Sequence, residues 1–215
     1  SLLFFMSTMS VLYLTYFQTH RRSLITGLGW LAIMFGSVLI YCMARIYLIP
    51  TQVAWNSPTV ILSFYTTTLL LGIMAIACLM VLDLKFSEIK KENDVELRTQ
   101  VLRNSMGGLT ILTVALVALN IAITFIQIRL LAQGDLTART SLSLLVELYL
   151  PLFVMRMVIL VYASISLAVS VVRMYRLQTT PQGLMSPVYL SCLLILVGEI
   201  IGRFLFYATH IRVGL

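Results

Sequence analysis

The sequence predicts an all-α fold, a polytopic transmembrane helix bundle with six spans. Three observations predict it. Of 215 residues, 60% are hydrophobic and only 11% are charged, whereas a soluble domain is about 25% charged. Mean hydropathy is +1.00. Apolar runs of about 20 residues, the length that crosses a bilayer, recur six times with polar stretches between them. A single domain over residues 1–215 accommodates all six.

The first helix is expected over residues 2–18, ended by Thr19-His20-Arg21-Arg22. The second, 24–48, is stopped by Pro50. The third, 58–82, starts on Pro58, where a missing N–H costs nothing. Residues 83–104 carry five acids and five bases and are expected as a solvated cytoplasmic loop with a short amphipathic helix. The fourth helix is expected over 105–131. The fifth, 141–172, is longer than one crossing needs and contains Pro151, which should kink it. The sixth, 187–210, starts on Pro187. No strand alternation, low-complexity tract or internal repeat interrupts the pattern. The chain starts at Ser1 inside an apolar run, with no charged region ahead of it, so a signal peptide is not expected. It reads as a fragment or a chain whose start is lost.

Six crossings define two sides. Side A, at the ends of the first, third and fifth helices, holds Arg21, Arg22, Lys85, Lys90, Lys91, Arg98, Arg103, Arg173 and Arg176. Side B loops hold Arg139 and Arg212. The excess of Lys and Arg puts side A in the cytoplasm and both termini of this chain outside. The net charge of +7 is therefore topological. A nucleic-acid partner would need a solvated basic face with phosphate contacts, and no nucleic acid is expected. Cys42, Cys78 and Cys192 each sit alone in an apolar run. Without a CxxC there is no case for a cluster or a structural zinc site, and all three read as small buried hydrophobes.

Six charged residues lie within the apolar runs: Arg45, Arg129, Arg156, Arg203, Glu147 and Glu199. Each costs roughly 2.5–3.5 kcal/mol at a helix centre on insertion scales, which makes a buried charge a functional hypothesis. Most fall toward side B. Snorkelling explains Arg129 and part of Arg45. It does not explain Arg156, Glu199 or Arg203. The last helix is the most informative. At about 100° per residue, Glu199, Arg203, Phe206 and His210 share one stripe, with Tyr207 beside it. Glu199 and Arg203, four apart, can pair. Gly198 and Gly202 form a GxxxG step that allows close backbone approach. A structural ion pair fixing helix packing would use the same residues.

Two histidines, His20 and His210, fall at opposite faces and cannot clamp one haem iron between facing helices. No P-loop, GxSxG or HExxH motif is present. Quinol chemistry or transport remains. A quinol needs an apolar slot, a few oxygen partners and a proton acceptor. His210 suits the last role, since imidazole titrates near neutral pH. Arg45, Tyr47, Arg203 and Tyr207 suit orientation of the oxygens, and Glu199 suits a proton relay or the anchoring of Arg203. Trp55, Tyr65 and Phe206 suit the ring slot, with an interfacial aromatic belt as the other reading of Trp55. A transporter would favour broken helices and repeated halves, which the sequence lacks.

The motif Glu199-x-x-Gly202-Arg203-x-x-Phe206-Tyr207-x-x-His210 resembles the closing motif of the membrane-anchor subunit of bacterial dimethyl sulfoxide reductase. Arg45-Ile46-Tyr47, followed by Pro50-Thr51 and Trp55, is similar to that family's Arg-Val-Tyr segment with its nearby Pro-Thr-Trp, which is contiguous there and split here. Arg156 within Met155-Arg156-Met157-Val158 matches an arginine of the penultimate helix, and the stretch from Ser57-Pro58 to Leu70-Leu71-Gly72 also fits. The resemblance runs along the whole chain. The family has eight helices, and this chain corresponds to a start at the third, so a family histidine implicated in quinol binding has no counterpart.

The resemblance implies a subunit of the bacterial inner membrane, both termini on the periplasmic side, that oxidises menaquinol in anaerobic respiration. Electrons would pass to an iron–sulfur subunit and then a molybdopterin catalytic subunit. Menaquinol is the bound substrate; no haem and no metal is expected in this chain, and membrane lipid is the surroundings. The expected quinol site is Arg45, Tyr47, Arg156, Glu199, Arg203, Tyr207 and His210. A purely structural anchor for redox partners and a small-solute transporter are the alternatives.

Overall fold

A computed structural model describes residues 2–17, 22–49, 55–90, 95–134, 136–177 and 182–208. Among these, seven helices and no strand are found: α1 (Leu2–Phe17), α2 (Arg22–Ile46), α3 (Pro58–Lys90), α4 (Val95–Gln133), α5 (Leu136–Glu147), α6 (Leu150–Leu177) and α7 (Gln182–Ala208). Five contain a segment long and apolar enough to cross a membrane: Ser23–Ile46, Pro58–Phe86, Leu97–Gln133, Leu150–Arg176 and Met185–Ala208. The chain forms two compact units, Ser1–Pro50 and Thr51–Leu215.

The first unit is the pair α1 and α2. Gly36 of α2 lets the ring of Phe4 approach; a Cβ there would lie 3.1 Å from it. Helix α1 has 16 residues, about 24 Å at 1.5 Å per residue. Arg45 lies in the last turn of α2. Its carbonyl accepts from Leu48 N–H at 3.1 Å, and Tyr47 N–H donates to Ala44 O at 3.1 Å, which closes the helix.

The second unit packs α3, α4, α6 and α7 around one core. Leu70, Met74, Ala77, Val81 and Leu84 recur along α3 with helical spacing, and Leu160, Ala163, Leu167, Val171 and Met174 do the same along α6. Such stripes bury one face of each helix. The outward faces are equally apolar, as at Ile111, Val158, Ile165 and Ile200, as expected where lipid is the solvent. Cys78 and Cys192 meet between α3 and α7 as free thiols, while Cys42 is exposed rather than buried.

Three boundaries differ from the expectation. Residues 83–90 and 95–104, expected in a solvated loop with a short amphipathic helix, instead extend α3 and α4. Leu84 and Leu102 belong to the core, so burial carries both helices past the charged stretch, and Arg98 clamps Asp83 with two hydrogen bonds. The single helix expected over 141–172 is two. Proline 151 has no N–H to offer the carbonyl of Glu147, and the chain breaks at Leu148 and Tyr149, whose N–H groups both turn back to Leu144 O. At 12 residues, α5 reaches about 18 Å and is too short to cross. Finally, α7 begins five residues before Pro187 and carries it inside the helix. The position it leaves without a donor is the carbonyl of Gly183, in the exposed first turn.

At Gly198 a Cβ would lie 2.9 Å from Leu160 Cδ2 and 3.1 Å from its Cγ. The missing side chain lets a leucine, rather than another backbone, nest against α7. Overpacking such a contact costs about 1–3 kcal/mol. Gly198→Val is expected to lower the thermal unfolding temperature of the purified protein, and an unchanged temperature would mean that α6 and α7 do not meet here.

A buried polar cluster opening into a cleft

Each of the four core helices places one polar residue at the same level. Thr67 lies nine residues from the start of α3, Arg156 six from the start of α6, Glu199 nine from the end of α7, and Asn120 thirteen from the end of α4. At 1.5 Å per residue these are depths of roughly 9–20 Å from the side B ends. The opposite ends are farther away in every case.

The four side chains bond to one another. Thr67 Oγ1 donates to Glu199 Oε2 at 2.9 Å. Asn120 Nδ2 donates to Glu199 Oε1 at 3.0 Å, and Arg156 Nη2 donates to Asn120 Oδ1 at 2.9 Å. Arg156 Nη2 also approaches Glu199 Oε1 at 3.9 Å. The amide is therefore the bridge of the ion pair: its NH2 faces the carboxylate and its oxygen faces the guanidinium, the only orientation that satisfies both. Arg156, Glu199 and Asn120 are 8%, 4% and 3% exposed. A buried pair is tolerated only when its remaining hydrogen-bonding capacity is met. Here both carboxylate oxygens are satisfied, but Arg156 Nε has no hydrogen-bond partner among the described residues.

The guanidinium lies over Gly202. A Cβ at that position would be 2.6 Å from Arg156 Cζ and from Nε, and 2.8 Å from Nη2. Glycine 202 thus provides the recess that holds the arginine. The GxxxG step admits two side chains of α6, Leu160 and Arg156, where backbone approach was expected.

Thr67, Arg156 and Glu199 of the cluster line a cleft of about 710 Å³ counting the open space at its mouth. The α7 stripe of Glu199, Gly202, Arg203 and Phe206 lines it, together with Arg156 and Phe153 of α6, Ser63 and Thr67 of α3, Thr124 and Gln127 of α4, and Leu145 of α5. Arg203 Cζ sits 3.8 Å from the centre of the Phe64 ring, a cation–π contact that steadies a charge in apolar surroundings. Around Phe206, Trp55 stacks at 5.2 Å and 14°, and its Nε1 donates to Phe206 O at 3.1 Å.

The structure thus joins three of the expected site residues, Arg156, Glu199 and Arg203, in one cleft. Tyr207 packs edge-on against Trp55 at 6.1 Å and is not part of the cleft lining; nor is Tyr65. Arg45 and Tyr47 belong to the first unit, and the cleft lining comes wholly from the second. His210 and His20 lie outside the described residues. Glu147 is exposed at the end of α5. Thr67, Asn120 and Phe64 were missed. Asn120 had a signal, an amide inside a long apolar run. Among the described residues, no group of three or more His, Cys, Asp or Glu is placed to hold a metal.

No curated protein and no solved structure matches the chain. A family model described as the DMSO reductase anchor subunit (DmsC) matches residues 1–209, which agrees with the resemblance carried by the α7 motif. With apolar helices of membrane-spanning length and a match over nearly its whole extent, the chain belongs to the DMSO reductase anchor subunit (DmsC) family, as a membrane anchor subunit of a DMSO reductase-type complex.

Proposed function

We propose that this subunit binds menaquinol in the cleft of α3, α4, α6 and α7 and oxidises it there. Two electrons then pass to an iron–sulfur subunit and on to a molybdopterin catalytic subunit. The observation that carries the reading is Arg156. A guanidinium 8% exposed, held on one side by Asn120 in a residue that lines the cleft, is a charged donor group placed beside the space an oxygen would enter. The apolar walls at Phe153, Leu205 and Phe206 suit a fused ring. The few convergent polar groups give it one orientation.

The side B position of the cleft fits electron delivery to partners on that face. The excess of Lys and Arg at side A favours placing side B, and both termini of this chain, on the periplasmic face of a bacterial inner membrane. A structural anchor is favoured by one observation: the Glu199 carboxylate is bonded on both oxygens within the protein. The two readings separate at Arg203, which lines the cleft with its guanidinium over the Phe64 ring. In the assembled complex, Arg203→Leu is expected to cut quinol-dependent reduction at least about tenfold, while reduction driven by a soluble artificial donor continues at its usual rate. Equal quinol rates in the variant and the parent, with equal assembly, would leave only the structural anchor.

A further inference from the structure

We infer that the side A end of the groove between α4 and α6 holds one anionic phospholipid of the surrounding bilayer. Its phosphodiester rests on Arg103 and Arg176, and its acyl chains run inward past Ile111 and Val172. The inference is independent of the quinol reading, which concerns the opposite half of the bundle.

The level of the site comes from α6. Its apolar span ends on Arg176, so headgroups begin there. Arg103 of α4 is at the same level, because the Tyr175 hydroxyl donates to the Arg103 carbonyl. Gly107 makes room for this contact: a Cβ there would lie 2.9 Å from the Tyr175 hydroxyl oxygen. The Arg103 guanidinium in turn sits 5.8 Å from the centre of the Tyr175 ring. An arginine at an interface ordinarily snorkels in many orientations. This one is steadied by a cation–π contact, so less freedom is lost when it grips a ligand.

Direction follows from helix geometry. At about 100° per residue, Val172 and Arg176 are turned from Tyr175 by about 60° and 100°, both away from the core face of α6. On α4, Ile111 lies one turn deeper than Gly107 and is turned about 40° to the same outward side. Ile111, Val172 and Arg176 are all exposed. The α4–α6 contact is therefore flanked on its outer side by apolar side chains, with two cations at the headgroup end.

Charge selects the ligand. Among the described residues, no ion pair reaches Arg103 or Arg176. Asp83 is held by two hydrogen bonds from Arg98, which leaves α4 about 140° round from Arg103. The other acids with described side chains, Glu147 and Glu199, belong to the side B half. Two guanidinium groups without a counter-charge match a phosphodiester, whose oxygens accept paired N–H bonds. A zwitterionic headgroup would bring an ammonium that no described acid is placed to receive. An anionic lipid is the better fit, as for basic pockets between membrane helices in general.

The test uses the intact complex in a neutral detergent. It is titrated with phosphatidylglycerol or phosphatidylcholine of equal chain length, and native mass spectrometry counts the bound lipid. The parent is expected to retain one more phosphatidylglycerol than the double variant Arg103→Gln, Arg176→Gln, and to hold it at least about tenfold more tightly than phosphatidylcholine. Arg176→Gln alone, a change at an exposed helix end, is expected to weaken that lipid at least about threefold, so the outcome does not depend on assembly of the double variant. Lys85→Gln removes the same charge from α3 at the same membrane end and is expected to change nothing. Equal retention of the two lipids by the parent would overturn the site. So would an unchanged count in the double variant, or an equal loss in Lys85→Gln, which would reduce the effect to diffuse charge. Glycerol 1-phosphate carries the phosphate without the chains and is expected not to displace the lipid. Displacement by it would show a free phosphate site and overturn the lipid.

Discussion

Arg156→Leu is expected to have the largest effect of any single change in this protein. It removes the cation bonded to Asn120 and leaves Glu199 buried, 4% exposed, with Thr67 and Asn120 as described partners. Breaking a buried pair by deleting one member costs about 3–5 kcal/mol, and losses of even 1–2 kcal/mol change abundance several-fold in cells. The amount of assembled complex should therefore fall. Quinol-dependent turnover per complex should fall by about 10²-fold or more, the usual cost of losing a preorganised donor. The two effects part company in the double variant Arg156→Leu, Glu199→Leu. Replacing both members of a buried pair by apolar groups is often neutral or stabilising. Assembly should return toward the parent level while quinol turnover stays lost. Recovery of turnover in the double variant would show that the pair only holds helices together.

Gly202→Ala is the second large effect, and it should act almost wholly on activity. The new methyl would lie 2.6 Å from Arg156 Cζ and Nε, so the guanidinium must retreat by about 1 Å to reach ordinary contact. A displacement of that size can cost about 10²-fold in rate. The stability balance is milder. Alanine is favoured over glycine in a helix by about 1 kcal/mol, which offsets part of the crowding. Quinol-dependent turnover is expected to fall steeply in protein that assembles normally and still accepts electrons from an artificial donor. A fall in assembly that matches the fall in turnover would place the glycine in packing alone.

The bundle was legible in the sequence because bilayer length and apolar composition leave little choice. Its interruptions were less so. Charges at 83–104 look like a loop until Leu84 and Leu102 are found in the core, and one burial partner outweighs several solvated neighbours. Pro151 was legible as a disturbance but not as a full break, since that depends on where Tyr149 N–H turns. In the site, the α7 stripe followed from helical periodicity, and Glu199, Arg203 and Phe206 do share the cleft. What periodicity cannot give is the partner across a helix interface. Glu199 bonds to α3 and α4 and pairs with Arg156 of α6. Helical spacing names neighbours on one helix, and these three partners are on others. Phe64 was hidden for the same reason: one aromatic in an apolar run looks like any other until a guanidinium is found above it.

The bonded chain from Arg156 to Thr67 also bears on how the subunit is made. Apolar helix faces in lipid slide and exchange with little penalty, whereas a slip of one residue moves a side chain by about 1.5 Å and turns it by about 100°. Hydrogen bonds of 2.9–3.0 Å do not survive that, so the cluster acts as an index mark that admits one alignment of four helices. Its acid is on α7, which is synthesised after the three helices that hold its partners. Until Glu199 arrives, Arg156 waits in the bilayer without a counter-charge, and the helices already inserted have no fixed alignment.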